Sequence, residues 1–478
     1  MTRRTSPDGA LVAGVDSSTT ATKVEVRDLD TGQVVGGGSS PHPPTQPPRS
    51  EQQPEAWWAA FEAAWRQAGD PDVAAISVAG QQHGMVALDS DRRVIRPAKL
   101  WNDTESAPEA AWLIGRLPGG RRAWADACGL VPVASFTITK LAWLHRHEPR
   151  AWERLAHVVL PHDWLTLELT GRLVTDRGDA SGTGYWSAAT GTYRHDLLAL
   201  VDPERDWSGV VPPVLGPLEA AGEWKGALVG AGTGDNMAGA LGVGLRPGDV
   251  VVSIGTSGTV YGVSDEPTAD ASGIVAGFAD ATGRHLPLVC TLNATKVTDA
   301  VRRLLGVDHD QLDWLALAGA PGAGGLTLLP YLDGERTPDR PNATGVLAGL
   351  RSDVGREQLA RAAVEGVVCG LLDGLDALAA FAPTGGQLIV VGGGARSRAY
   401  RQVLADLSGR EVLVPHVREQ VATGACVQAA AAATSSEPAD VADAWKLGAG
   451  DLVEPGPGTT AAGDVHAAYA ALRDTTAE

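Results

Sequence analysis

Residues 231–259, AGTGDNMAGALGVGLRPGDVVVSIGTSGT, constrain this chain more than any other stretch. An acid, Asp235, stands in a glycine-rich loop beside an amide, Asn236. The apolar, β-branched run 250–254 follows and breaks into Gly255-Thr256-Ser257-Gly258-Thr259. A strand feeding such a turn offers backbone N–H groups and hydroxyls to an anion, because glycine permits the turn and side-chain bulk is absent. An acid beside a phosphate cradle points to phosphoryl transfer, in which a carboxylate takes a hydroxyl proton while donors hold the phosphates.

This stretch has a counterpart near the N-terminus. Residues 11–15 read as a buried strand, Asp16-Ser17-Ser18-Thr19-Thr20 as a tight polar turn, and residues 22–26, with Lys23, as a second strand. Either segment alone is an ordinary hairpin. Together, with Asp235 between them in sequence, they predict two related halves facing each other across a cleft.

A chain of 478 residues exceeds the size at which one core keeps growing, so two domains are expected. A net charge of −18 argues against nucleic-acid or acidic-membrane binding, although a site on an acidic protein can be locally positive. Cysteines 128, 290, 369 and 426 show no C-x-x-C spacing, which favours a reduced, cytoplasmic protein over a metal or disulfide framework. The first residues are basic, but the apolar run after them is too short for a signal segment and serves better as a strand. No segment approaches the ~20 apolar residues of a membrane span.

Along the chain, the proline-rich residues 41–48 should run extended over the surface. Pro54 opens a helix with Trp57, Phe61, Ala64 and Trp65 on its core face. A strand over 73–79 delivers Gly80-Gln81-Gln82-His83-Gly84 at its carboxyl end, where ligands collect in open α/β sheets. Gln82 and His83 can donate to and accept from hydroxyls, as a sugar requires. Leu100-Trp101-Asn102-Asp103 is a polar-aromatic cluster of the kind that stacks on and hydrogen-bonds a sugar, or a turn with a helix cap. Asp163 reads as a helix cap, and the glycine-rich residues 175–184, with two acids, either touch substrate or form a long turn.

In the second half, strands are expected at 275–278, 285–289, 326–330, 388–391 and 411–415. Helices are expected at 298–306, 359–381 and 423–434. Gly366, Gly370 and Gly374 predict close packing of the long helix. Strand 388–391 ends in Gly392-Gly393-Gly394-Ala395, which allows close approach of a phosphorylated or flat ligand to the backbone. Beyond Gly448 the chain reads as loop, then a terminal helix over 461–473.

These junctions resemble the actin/hexokinase/Hsp70-like (ribonuclease H-like) ATPase fold, an α/β architecture with two lobes and the active site in the interdomain cleft. Within it the chain resembles the FGGY carbohydrate kinases. One family signature fits residues 135–144, SFTITKLAWL, and the other fits residues 345–350, GVLAGL, with Gln358-Leu359 and residues 362–365. The segments 79–84, 100–103, 234–236, 253–258, 334–338 and 392–397 resemble those of family members that phosphorylate D-xylulose.

The resemblance implies MgATP-dependent phosphorylation of D-xylulose on its terminal hydroxyl, in xylose catabolism feeding the pentose phosphate pathway. It implies Asp235 as catalytic base, with Gln82, His83, Trp101, Asp103, Asp235 and Asn236 around the sugar. ATP is expected against Asp16, Ser17, Ser18, Thr19, Thr20 and Lys23 in one half, and Gly255, Thr256, Ser257, Gly392, Gly393, Gly394 and Ala395 in the other. Asp16 and Asp235 are the expected Mg²⁺ ligands. The expected organisation is a disordered lead-in over 1–9, an N-terminal kinase domain over 10–242, a C-terminal kinase domain with the adenosine site over 243–440, and a tail over 441–478. A homodimer is the expected assembly.

Two departures bear on these expectations. The family's first phosphate loop often reads Asp-x-Gly-Thr, where this chain has Asp16-Ser17-Ser18-Thr19, which puts the detailed phosphate geometry in question. Gln82 stands where some relatives carry methionine, so sugar selectivity could be shifted. A kinase for another ketopentose, a pentitol or glycerol needs only changes around Gln82, Trp101 and Asp103. A nucleotide-dependent binding protein is the other class, and the acid in the cleft loop argues against it.

Overall fold

The computed structural model describes residues 9–476. All but Gly9 of the expected lead-in lies outside them. The chain divides into two units. The first runs to Gly244 and takes in Asp265–Leu286 and Val417–Gly448; the second comprises Leu245–Ser264, Pro287–His416 and the chain from Ala449 onward.

In the first unit β1 (Leu11–Ser17), β2 (Ala21–Asp28) and β3 (Val34–Pro41) form an antiparallel meander. On the other side of β1 lies β4 (Ala75–Gly80), parallel to it. The pair β5 (Ala220–Trp224) and β6 (Ala227–Gly230) extends the sheet beyond β4. The short β7 (Thr233–Gly234) runs parallel to the end of β4, with Gly234 opposite Gly80.

Parallel strands at the centre of a sheet need cover on both faces, and β1 shows how it is supplied. Ala13 and Val15 point into a core with Val24, Val26, Trp57, Phe61 and Trp65, the last three from α1 (Pro54–Gln67). Val12 points the other way, against Val427, Ala430 and Ala431 of the alanine-rich helix Gln420–Thr434. Trp57 is fully buried and hydrogen-bonds Gln52, so truncating it to alanine should cost about 3–5 kcal/mol. Two further helices matter for function: α2 (Pro161–Thr170) and α3 (Asp235–Gly242), which β7 leads into directly.

The second unit repeats the arrangement. Its β8 (Val250–Ile254) is antiparallel to β9 (Gly258–Gly262) across a tight turn and parallel to β11 (Leu388–Val391) on its other side. Beside β9 lies β10 (His285–Thr291), and β12 (Val412–Pro415) and β13 (Gly450–Val453) complete the other edge. Its helices include α4 (Thr295–Leu305), α5 (His309–Ala318), α6 (Arg356–Leu378), α7 (Arg398–Ser408) and the expected terminal helix, Ala462–Thr475. The close packing read from α6 is present: a Cβ on Gly366 would collide with the Leu328 carbonyl.

Four elements differ from the sequence reading. Residues 235–242, read within a glycine-rich loop, form helix α3 with Asp235 in its first turn. Asp16 and Ser17 complete β1 instead of turning, with Asp16 opposite Lys23, because ladder bonds form through the main chain whatever the side chain's polarity. Helix α6 begins at Arg356, ahead of the first apolar residue, where the Gln358 side chain accepts from the Gly355 N–H. Residues 450–453, read as loop, form edge strand β13. Its Leu452 is exposed and it lacks the alternation that marks a half-buried strand.

Candidate active site

The site in the first unit is built at the carboxyl ends of β1, β4 and β7. Asp16 is the penultimate residue of β1, and Asp235 opens α3 directly after β7, so the two acids flank the end of β4. Asp16 is 5% exposed, and its Oδ1 is buried with no hydrogen-bond partner among the described residues. Burial pushes its carboxyl up to about 6, Lys23 counteracting and Glu419 adding to the rise. The same forces act on Asp235: burial first, then the charges of Asp16 and Asp179, raise it to about 7. A carboxyl near 7 is a stronger proton acceptor than an ordinary one and is still substantially ionised at neutral pH.

Asp235 is aimed by its neighbours. The Asn236 backbone N–H and Nδ2 donate to Asp235 Oδ1 at 2.8 and 2.9 Å, and Nδ2 also donates to Gln82 Oε1 at 2.8 Å. Gln82 Nε2 is buried and has no hydrogen-bond partner among the described residues. A side chain at residue 234 would displace Gln82, since a Cβ there would lie 2.5 Å from Gln82 Cγ. His83, at φ 66°, packs edge-on to Phe136 at 5.1 Å and tilted on Phe278 at 5.3 Å between ring centroids. Trp101 donates through Nε1 to Thr19 Oγ1 at 2.9 Å, and Thr19 donates to Gln81 Oε1 at 3.2 Å. Trp101, expected at the sugar, is thereby tied to the β1–β2 hairpin, where Lys23 pairs with Glu419 at 2.5 Å.

Asp103 is not brought to this face. Its carboxylate is fully buried and accepts from the Ser50 N–H at 2.9 Å, the Glu105 N–H at 3.1 Å and Lys99 Nζ at 3.1 Å. Lys99 is itself held by Glu51 at 3.0 Å and Glu105 at 2.6 Å, so the three acids that lie within reach of one ion already enclose an ammonium. Ser18, where a relative would carry glycine, is not among the positive-φ residues. Its N–H and Oγ both donate to the Ala21 carbonyl at 3.0 Å, so the turn closes without glycine.

Within the second unit a cavity of about 630 Å³ is lined by Gly255, Thr256, Gly393 and Gly394 together with Thr295, Thr298, Asp299, Asp310, Asp313 and Tyr400. Gly392 sits at φ +86°, and a Cβ there would lie 2.7 Å from the Ile254 carbonyl. Ser257, Gly392 and Ala395 support this wall without lining it. Ser397 caps α7 and donates to Asp313 at 2.5 Å, while the Arg398 N–H donates to the same carboxylate at 2.7 Å. The α4 and α5 contributors were not legible in the sequence, because no local motif marks them; they enter the cavity only through the packing of two helices.

Sequence reasoning also missed a buried charge cluster behind Asp235. His162, on α2, places Nδ1 2.7 Å from Asp179 and Nε2 3.2 Å from Asp163 and 3.7 Å from Asp176. Burial alone would lower the imidazolium's pKa, but Asp163, Asp179 and Asp176 push it up to about 10. Asp163 is also the expected cap, accepting from the Leu160 N–H at 2.7 Å.

Comparison with known proteins places these features. The N-terminal domain of the FGGY family of carbohydrate kinases matches residues 11–242, and the C-terminal domain of that family matches residues 250–433. A xylulose kinase from Streptomyces coelicolor is 49% identical over 461 residues, covering 94% of this chain and 93% of its own length. The crystal structure of xylulose kinase from Bifidobacterium adolescentis matches with a TM-score of 0.85 at 41% identity, covering 97% of this chain and 99% of that one. A Plasmodium falciparum glycerol kinase with ADP shares the fold alone, at a TM-score of 0.88 and 16% identity over 98% of this chain and 99% of that one. The α/β ATPase fold expected from the strand-to-glycine junctions is the fold these structures share with this chain.

Proposed function

This chain belongs to the FGGY family of carbohydrate kinases, and on that footing we propose that it transfers the γ-phosphate of ATP to the terminal hydroxyl of D-xylulose, giving D-xylulose 5-phosphate. The observation that carries the mechanism is Asp235, an acid raised to about 7 at the mouth of a helix, held by Asn236 and beside the unpartnered Gln82 amide donor. A sugar hydroxyl is a poor nucleophile. Asp235 takes its proton as the oxygen attacks the γ-phosphorus, and ADP leaves with the electron pair of the broken bond. Gln82 Nε2, the rings of His83 and Trp101, and Asn236 hold the sugar. Asp103 acts from behind, fixing the Leu100–Asp103 turn through Lys99 and the Ser50 main chain.

ATP fits the cavity of the second unit, where the glycine turn after β11 leaves its backbone open and the β8–β9 turn offers N–H and hydroxyl donors. Asp16, whose buried carboxylate oxygen has no hydrogen-bond partner among the described residues, suits a hard cation, which it would hold together with Asp235. Mg²⁺, when bound, neutralises phosphate charge. A cytoplasmic location accords with four free, buried cysteines. A homodimer is the assembly to be tested by mass photometry.

The chemistry is tested by incubating the protein with MgATP and D-xylulose and reading the product by mass and by phosphorus–carbon coupling. A monophosphate ester on the terminal carbon is expected. ADP released equally fast without sugar would overturn the reading.

A further inference from the structure

The buried His162 cluster is not used by the chemistry above, yet it touches the chain on both sides of the site. Asp176 accepts from the Gly178 N–H at 2.7 Å, the Asp179 N–H at 2.9 Å and the Thr233 hydroxyl at 2.8 Å. Thr233 is fully buried and lies two residues before Asp235, in β7. The His162 ring also fills the space beside the preceding residue: a Cβ on Gly232 would lie 2.6 Å from His162 Cδ2. On the other side, the turn after Asp179 backs the His83 ring: a Cβ on Gly182 would collide with His83 Nδ1.

β7 is only two residues long and pairs with β4 at Ala79 and Gly80 alone. So short a strand has few ladder bonds to fix its height along its neighbour. Gln428 Nε2 holds the preceding Gly232 carbonyl at 3.0 Å, and within β7 the added anchor is the Thr233 hydroxyl on Asp176, itself pinned by two backbone donors. We propose that Thr233 is a positioning residue: through its hydroxyl, Asp176 and the His162–Asp163–Asp179 cluster set the height of β7 and so the aim of the Asp235 carboxylate. The inference rests on Asp235 being the base. Displacing a reacting group by about 1 Å can cost on the order of 100-fold in rate, so a lost anchor registers in kcat before it registers in binding.

The test compares Thr233→Val, which keeps the shape and deletes the hydroxyl, with Thr233→Ser, which keeps the hydroxyl. The full-length protein is assayed with MgATP and D-xylulose, and Tm is measured alongside. Thr233→Val is expected to lose about tenfold or more in kcat with both KM values within about twofold, and Thr233→Ser to recover most of it. Asp176→Asn combined with Thr233→Val should lose no more than the worse single variant, as for residues acting through one bond. Should Thr233→Val fold poorly, Thr233→Ala serves in its place. An unchanged kcat in Thr233→Val, or equal losses in the Val and Ser variants that track Tm, would overturn the proposal. Asp235→Asn run in parallel separates the two claims: if it retains turnover the base assignment fails, whatever Thr233 does.

Discussion

Replacing Asp235 by asparagine should cripple the enzyme and stabilise the fold. The folded protein raises this carboxyl from 3.8 to about 7, so ionisation opposes folding. That penalty is absent below about pH 3.8, where the group is protonated folded and unfolded; it grows through about 7 and is constant above. At about 1.36 kcal/mol for each tenfold, it amounts to at most about 4 kcal/mol at alkaline pH, and relaxation of the surroundings reduces it. Asparagine has nearly the same shape, removes the charge, and still accepts from the Asn236 N–H that now reaches Asp235 at 2.8 Å. A Tm several degrees higher at pH 8, without nucleotide or Mg²⁺, is therefore expected. Loss of a general base costs about 100- to 10,000-fold in kcat. The assays are thermal unfolding at pH 8 and pH 5, where the gain should shrink, and steady-state ADP release. A lower Tm together with lost activity would make Asp235 a structural acid and refute the reasoning.

Other changes follow from the same geometry. Because Asp235 must be ionised, kcat/KM for sugar should fall about tenfold per pH unit on the acid side of its pKa, near or below 7, in a profile over pH 5–9. Gly234→Ala should force Gln82 off Asn236, a bond worth about 1 kcal/mol, raising the sugar KM about five- to tenfold with the ATP KM unchanged. Ser18→Gly should leave kcat within about twofold and lower stability by up to about 1 kcal/mol in urea unfolding, since Ser18 needs no positive φ and glycine adds freedom to the unfolded chain. Lys99→Met should cost about 3–5 kcal/mol of stability by leaving Glu51, Asp103 and Glu105 facing one another, again read by urea unfolding.

What the sequence made legible was local. The strand-to-turn junctions at 16–20, 80–84, 255–259 and 392–395 announced themselves because β-branched runs stop at glycine or hydroxyl residues, and those junctions carry most of the site. Asp235 was legible because an acid between glycines beside an amide has few structural uses. What stayed hidden depends on residues far apart in the chain. Asp103 read as a sugar contact because Trp101-Asn102-Asp103 is compact, while Ser50, whose N–H it accepts, and Glu51, which shares Lys99 with it, lie some fifty residues earlier. His162 looked like part of a helix start, and only the fold sets Asp163, Asp176 and Asp179 around it. The helix faces of α4 and α5 that line the nucleotide cavity carry no motif at all. Edge strand β13 was lost because an exposed leucine and a short length remove the alternation that identifies a strand.

The account rests on transfer of phosphate to one sugar, and the measurement that tests it most directly is kcat/KM from ADP release with MgATP. The acceptor panel is D-xylulose, L-xylulose, D-ribulose, L-ribulose, D-arabinitol and glycerol, with Asp235→Asn beside the unaltered protein. The account predicts that D-xylulose has the highest kcat/KM and that its turnover collapses in the variant. A higher kcat/KM for another acceptor would contradict the substrate, and sugar-independent ADP release that survives in the variant would contradict the kinase mechanism itself.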